Sequence, residues 1–180
     1  MNTVRSDPNI QNSRLNGSDF LTFKNDNGVS KIIHQTGTYA EEEINFHKNI
    51  LDENPVFIDV GANIGAIIFQ LSKMMPNIRL VGFEPIKYYY DLALTNLSDI
   101  KNIDLFNFAA GNEIKLATAP VINTRGVENY GSVNLSFNTS RTLPVPMIRL
   151  DRFLLDIEVK PRLIKIDVEG MEDQVLEGCG

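Results

Sequence analysis

Three carboxylates, Asp59, Glu84 and Asp167, each close a short apolar run: Val56-Phe57-Ile58 before the first, Ile78 to Phe83 before the second, Leu163 to Ile166 before the third. Runs of this length, rich in β-branched and aromatic residues and separated by segments of helical period, read as buried parallel strands. In an open parallel sheet the carboxyl ends of the strands border the ligand crevice, so topology alone brings the three acids together. A carboxylate at such a position needs a partner, because both faces of the sheet are covered. A ligand would supply one.

The loop after the first strand narrows the choice of ligand. Asp59-Val60-Gly61-Ala62-Asn63-Ile64-Gly65 has two glycines for a tight turn, but not the third with which dinucleotide enzymes bring backbone N–H groups onto a pyrophosphate. Asp59 would repel a pyrophosphate. Glu84 follows Asp59 by twenty-five positions, near the spacing at which an acid grips a ribose diol. A ligand with an adenosine-like ribose and a positively charged end meets both conditions, as the ammonium and sulfonium of S-adenosylmethionine do. The competing readings are an NAD(P)-dependent oxidoreductase of Rossmann type and a sheet whose acids merely cap helices.

Asp167 is the candidate general base among the three acids. Glu169 lies close enough in sequence to help it or to share a divalent cation, although no metal is specified. For Glu169 and Glu172 the alternative is compensation of a helix dipole. Lys165 shares strand parity with Asp167 and points to the same face. A buried ammonium there needs Asp59 or Asp167 as its partner.

The elements that position these groups follow from pattern. Residues 1–18, rich in Asn, Ser and Asp, are expected to be a mobile segment. Residues 19–55 supply a hairpin, from Phe20–Phe23 and Val29–Ile33 around Asn27-Gly28, and a helix opened by a capping box, Thr38 with Glu41. Ala40, Ile44, His47 and Leu51 share one face of that helix, so His47 reads as packed, and His34 has less still to recommend it. Asp52 to Pro55 ends the helix. Ile64 to Met75 is a helix stopped by Pro76, and Pro85 is the first residue of a helix reaching Leu97. Ile103 to Gly111 is a third strand closing on Ala109 and Ala110, small enough for a planar group to lie against the backbone. Between residues 112 and 150 the alternation breaks into short strands at Ile114–Ala117, Ser132–Phe137 and Val145–Ile148, with prolines marking edges. This insertion is expected to select the acceptor, with Asn129, Tyr130 and Ser132 as contacts. Leu150–Leu154 is a short helix, Pro161–Val168 the fourth strand, and Glu169–Glu172 opens the last helix. The fold class is α/β, a Rossmann-like doubly wound, mostly parallel sheet over residues 56–180.

Composition excludes other classes. The chain has 180 residues, 43% hydrophobic, a net charge of −6 and one cysteine, Cys179. It has no basic cluster for nucleic acid, no apolar run long enough for membrane insertion, and no pair of cysteines for a disulfide. Lacking the apolar core of a signal peptide, it is expected in the cytoplasm. Oligomeric state is not legible.

Phe57–Gly65, Phe83-Glu84-Pro85, Asn96, Ala110-Gly111, Leu150-Asp151-Arg152-Phe153 and Lys165-Ile166-Asp167-Val168-Glu169-Gly170-Met171-Glu172 together resemble the FkbM family of S-adenosylmethionine-dependent methyltransferases, over about residues 38–180. The resemblance implies a class I methyltransferase fold and methylation of a hydroxyl oxygen on a sugar, lipid or polyketide-type acceptor. It implies that Asp59, Gly61, Ala62, Asn63 and Gly65 hold the methionine portion, that Glu84 holds the ribose, and that Ala109 and Ala110 border the adenine. Domains of that family continue through further strands, so a C-terminally incomplete, inactive fragment is a further expectation.

Overall fold

The computed structural model describes residues 3–51, 55–122 and 141–180. At its centre four parallel strands stand in the order β5-β4-β3-β9: β3 is Val56–Val60, β4 Arg79–Phe83, β5 Ile103–Phe106 and β9 Leu163–Ile166. Helix α3, Ala66–Met74, connects β3 to β4, and α4, Lys87–Asn96, connects β4 to β5. Alternation along the strands divides the core. Phe57 and Leu80 pack on one face with Ile64, Ile68, Leu71 and Leu92. Ile58, Val60, Val81 and Phe83 pack on the other with Leu150, Leu154 and Val175. Each of these six strand residues is at most 1% exposed, and burial of each is worth about 1.5–3 kcal/mol. The expected α/β, doubly wound, parallel architecture is therefore present, and its register sets Asp59 beside Gly82 on one side and Lys165 on the other.

The predicted third strand is two elements. Ile103–Phe106 stays in the sheet as β5, whereas Ala109–Ala110 (β6) leaves it and pairs with β8, Thr142–Ile148, which is also antiparallel to β7, Lys115–Pro120. Over Thr142–Pro146 only β7 pairs with β8 among the described residues, so Pro144 and Pro146 lie where one edge is free. Helix α5, Leu150–Asp156, follows. Its Phe153 meets Phe83, Phe106 and Phe108 edge-on at centroid distances of 4.9–5.6 Å. The expected strand Ser132–Phe137, with Asn129, Tyr130 and Ser132, lies outside the described residues, as do Asp52–Asn54.

The N-terminal part corrects the sequence reading. Asn-Gly occurs at Asn16-Gly17 as well as at Asn27-Gly28, and the first pair makes the hairpin. Both Asn16 and Gly17 take positive φ, 50° and 77°, as a two-residue turn requires. They join β1, Ile10–Leu15, to β2, Ser18–Phe23. The segment expected to be mobile thus contains a paired strand with Leu15 fully buried. At the second pair the Asp26 carboxylate accepts the N–H groups of Gly28 (2.8 Å) and Ser30 (2.7 Å). That launches helix α1, Val29–Thr36, where a strand was expected. The capping box also fails. Helix α2 begins at Glu41 after Ala40 at φ 50°, without a side-chain cap, and the Thr38 hydroxyl contacts Thr36 Oγ1 at 3.2 Å. Three glutamates in the first turn, Glu41 to Glu43, offset the dipole instead. Pro85 lies two residues before α4 rather than at its first position. His47 packs as expected, 5.1 Å from the Phe57 ring, with Nε2 3.7 Å from Glu43.

Two motif residues prove to be framework. Asn96 accepts the Leu21 N–H (2.8 Å) and donates to the Leu21 and Ile64 carbonyls (3.0 Å each), tying the hairpin to the loop after β3. Asp151 pairs with Arg149 at 2.7 Å, and Arg149 donates to the Asn112 carbonyl at 2.9 Å. No helix among the described residues is long and apolar enough to cross a membrane.

Candidate functional site

A cavity of about 250 Å³ opens at the carboxyl ends of the four strands. Asp59 stands on its floor, fully buried. One carboxylate oxygen, Oδ1, accepts from Lys165 Nζ at 3.2 Å, and the other, Oδ2, is buried without a partner. Burial pushes the Asp59 carboxyl upward, against the pull of Lys165. Lys165 Nζ also reaches Asp167 Oδ2 at 3.4 Å. Burial opposes its charge, but Asp59, Asp167 and Glu43 outweigh that penalty and raise the lysine above its ordinary value. The ammonium stays protonated across the neutral range. Lys165 therefore has both partners that strand parity suggested.

Glu84 is 4% exposed. Its carboxylate accepts the N–H groups of Ile86 and Asn63, each at 2.8 Å. Burial nevertheless outweighs those bonds and moves it to about 7. Asn107 donates to the Glu84 and Pro85 carbonyls at 2.8 and 3.0 Å, fixing the turn that presents the acid.

The loop after β3 spends its own donors inward. Gly61 and Ala62 N–H donate to the Phe83 carbonyl (2.9 and 3.0 Å), Gly65 N–H to the Ala62 carbonyl (2.8 Å), Asn63 N–H to Glu84, and Ile64 N–H to Asn63 Oδ1 (2.8 Å). Every backbone donor from Gly61 to Gly65 has an acceptor within the chain, so the loop offers no cradle for a pyrophosphate. Gly61 is required by its own chain rather than by a ligand. At φ 90°, a Cβ there would sit 1.9 Å from the Asp167 carbonyl oxygen. Gly65 does not line the cavity, unlike Asp59, Gly61, Ala62 and Asn63. A Cβ on it would meet Leu97 Cδ1 at 2.9 Å, which makes it a helix-packing glycine.

Ala109 and Ala110 line the cavity beside Phe108, and Asp167 and Glu169 line it from the turn before α6, Glu172–Glu177. Asn63 and Glu169 both hold positive φ, 51° and 53°, a conformation that Asn tolerates and that costs of order 1–3 kcal/mol at Glu169. Burial raises the Glu169 carboxyl, and Asp167 and Glu172 reinforce the shift. Glu172 instead accepts the N–H groups of Val168 and Gly170 at 3.2 Å, the helix-end role weighed for it. No group of three or more His, Cys, Asp or Glu suited to a metal occurs among the described residues. None of the described residues of 112–150 lines the cavity.

Sequence reasoning missed Tyr39, Val29, Ile32 and Met171, all of which line it. Burial raises the Tyr39 phenol, with Lys165 opposing and Asp167 adding to the shift. The overlooked signal for α1 was the i, i+4 spacing of Val29 and Ile33 followed by Gly37, which ends the helix at φ 70°.

The chemistry of this lining is specific. Four acids, Asp59, Glu84, Asp167 and Glu169, line the cavity with one lysine, and Asp59 Oδ2 lacks a donor. A cationic ligand with an ammonium or sulfonium end fits these residues, and S-adenosylmethionine is such a ligand.

Comparison with known proteins follows the same direction. The model of the Methyltransferase FkbM domain matches residues 59–180. Methyltransferase sdnD of Sordaria araneosa is 26% identical over 163 residues, covering 71% of this chain and 61% of its own length. This chain thus spans about three fifths of that relative. A SAM dependent methyltransferase from Aquifex aeolicus is 19% identical over 50% of this chain and 43% of its own, with a TM-score of 0.34. A SAM-dependent methyltransferase from Geobacter sulfurreducens, solved with S-adenosyl-L-homocysteine, is 11% identical over 42% and 32%, with a TM-score of 0.36.

Proposed function

The chain belongs to the FkbM methyltransferase family, and from that premise we propose that it moves the methyl group of S-adenosylmethionine to a hydroxyl oxygen of a small-molecule acceptor, of the sugar, lipid or polyketide type. The observation that carries this reading is the floor of the cavity: a fully buried carboxylate, Asp59, with one oxygen on Lys165 and the other without a donor. In this reading Asp59 Oδ2 takes the cofactor's cationic end, with Gly61, Ala62 and Asn63 alongside. Glu84 takes the ribose hydroxyls, giving up the Asn63 N–H if it must, and Ala109 and Ala110 border the adenine.

When bound, S-adenosylmethionine supplies a methyl group on a sulfonium, already a good leaving group. What remains for the protein is alignment and removal of one proton, and alignment alone can supply several kcal/mol. Asp167 removes the proton from the acceptor hydroxyl, because its side chain is 60% exposed and so is reachable from solvent. Lys165 is held protonated by Asp59 and Asp167 and cannot be the base. It orients both carboxylates and keeps two adjacent negative charges from repelling each other. Glu169, raised by burial, can hold the departing proton next.

Calorimetry of the folded chain with S-adenosylhomocysteine tests the reading. Binding in the micromolar range is expected, weakened in Asp59→Asn. A chain with an intact circular dichroism spectrum that binds neither S-adenosylmethionine nor S-adenosylhomocysteine at millimolar ligand would sink it, and preferential binding of NAD would replace it with the oxidoreductase alternative.

A further inference from the structure

Solvent exposure divides the cavity lining into two ends. Asp59 and Glu84, closed off from solvent, mark the floor. Asp167, with its side chain 60% exposed, and Ile32, at 43%, line the same cavity and mark its mouth. That mouth has two chemistries. Its charged side is Asp167 with Lys165 and the Tyr39 hydroxyl, which lies within their field. Its apolar side is Ile32 and Val29, adjacent on one face of α1, with the half-buried Met171.

Helix α1 otherwise turns polar side chains to solvent, Lys31, His34, Gln35 and Thr36, and buries Val29, Ser30 and Ile33. Ile32 is its one large apolar residue left open. Leaving it so forfeits burial that a bound molecule would recover. Volume points the same way. About 250 Å³ is below the roughly 300–1,000 Å³ of small-molecule pockets, so a cofactor on the floor fills the cavity. The body of an acceptor must lie in the mouth.

Resting on the methyl-transfer reading, we infer that Ile32 and Val29 of α1 are specificity-determining residues: the acceptor presents its hydroxyl to Asp167 and lays an apolar body along α1. Selection then falls to a helix that precedes the first core strand. Bare polyols lack the surface to cover Ile32 and are disfavoured.

The test titrates the chain loaded with S-adenosylhomocysteine, by calorimetry, with octyl β-D-glucoside below its micelle concentration and with methyl β-D-glucoside. The two share their hydroxyls and differ in the apolar chain. Octyl glucoside is expected to bind at least about tenfold tighter, a factor that covering roughly two methylenes supplies. Ile32→Asp should erase the preference while S-adenosylhomocysteine still binds, and Lys31→Asp, on the outward side, should keep it. Equal affinities for the two glucosides, or a preference that survives Ile32→Asp, overturn the assignment of α1 while leaving the cofactor reading intact. A folded chain that takes no S-adenosylhomocysteine overturns that reading and this inference with it.

Discussion

Replacing Lys165 by Met should make the stability of the chain depend on pH in a particular direction. The lysine side chain is 11% exposed and its partner Asp59 1%, so the substitution leaves a carboxylate in the interior with no counter-charge. Breaking a buried pair from one side costs about 3–5 kcal/mol. For a chain of this size each kcal/mol moves the melting temperature by about 2–4 °C, so a drop of about 6–20 °C is expected at pH 8. Asp59 can escape the penalty by taking up a proton. Its folded-state pKa is already raised by burial and only partly restrained by Lys165. A carboxyl raised in the folded state contributes stability that is lost as pH rises through the folded value. Removing the lysine lifts that value further and steepens the loss between pH 5 and pH 8. Lys165 itself, raised above its ordinary value, is charged throughout that window and adds no slope of its own. Urea denaturation followed by circular dichroism at pH 5 and pH 8 should therefore show a deficit relative to the unmodified chain at least about 1.4 kcal/mol smaller at pH 5, the worth of one pKa unit. The double variant Asp59→Asn with Lys165→Met should lose the extra slope that the single variant gains, leaving the slope from Glu84. An equal deficit at both pH values would refute the reasoning, since Asp59 would then not be the group left stranded.

Glu84, pushed up to about 7 by burial, should make affinity for S-adenosylhomocysteine climb about tenfold from pH 6 to pH 8, as its carboxylate ionises and can accept hydroxyl donors; Glu84→Gln should flatten that profile in calorimetry. The same raised pKa weakens the fold as pH rises from 4.5 towards 7, and thermal melts of Glu84→Gln should lack this slope. Gly61→Ala forces a Cβ against the Asp167 carbonyl at 1.9 Å, and chemical denaturation should show a loss of about 2–4 kcal/mol from overpacking and the positive φ together. Asn96→Ala strands the Leu21 N–H and two carbonyls, a cost of about 2–4 kcal/mol, and hydrogen exchange in β1 and β2 should rise more than in β3 and β4. Asp167→Asn should lower turnover far more than cofactor affinity, and equal losses in both would move Asp167 from the acceptor to the cofactor.

What was legible in the chain was what topology dictates. Asp59, Glu84 and Asp167 could be brought together from sequence because apolar runs of strand length alternate with helical ones, and parallel strands carry their carboxyl ends to one edge. The Lys165 pairing followed from parity on β9. What was not legible depended on choices that local chemistry leaves open. Asn16-Gly17 and Asn27-Gly28 offer the same dipeptide, and only the first turns a hairpin, because Asp26 captures the N–H groups of Gly28 and Ser30 and commits the second to a helix start. Misplacing that one turn moved Val29 and Ile32 from a cavity wall into a hairpin strand, while the capping-box reading of its segment left Tyr39 out of the site.

The roles of the glycines show the same limit from the other side. Spacing marked Gly61 and Gly65 as glycines of a tight turn, and at both a Cβ would clash. Yet the groups that exclude a side chain are the Asp167 carbonyl and Leu97, not a ligand. The loop's N–H groups are likewise spent on Phe83 and Glu84. A glycine signature of this kind therefore reports how tightly β3, β9 and α4 close around the turn, and in the proposed reading the discrimination between a cation and a pyrophosphate passes to Asp59. On that reading the carboxylate carries the information about ligand charge because its burial cost is offset on one oxygen by Lys165 and left open on the other.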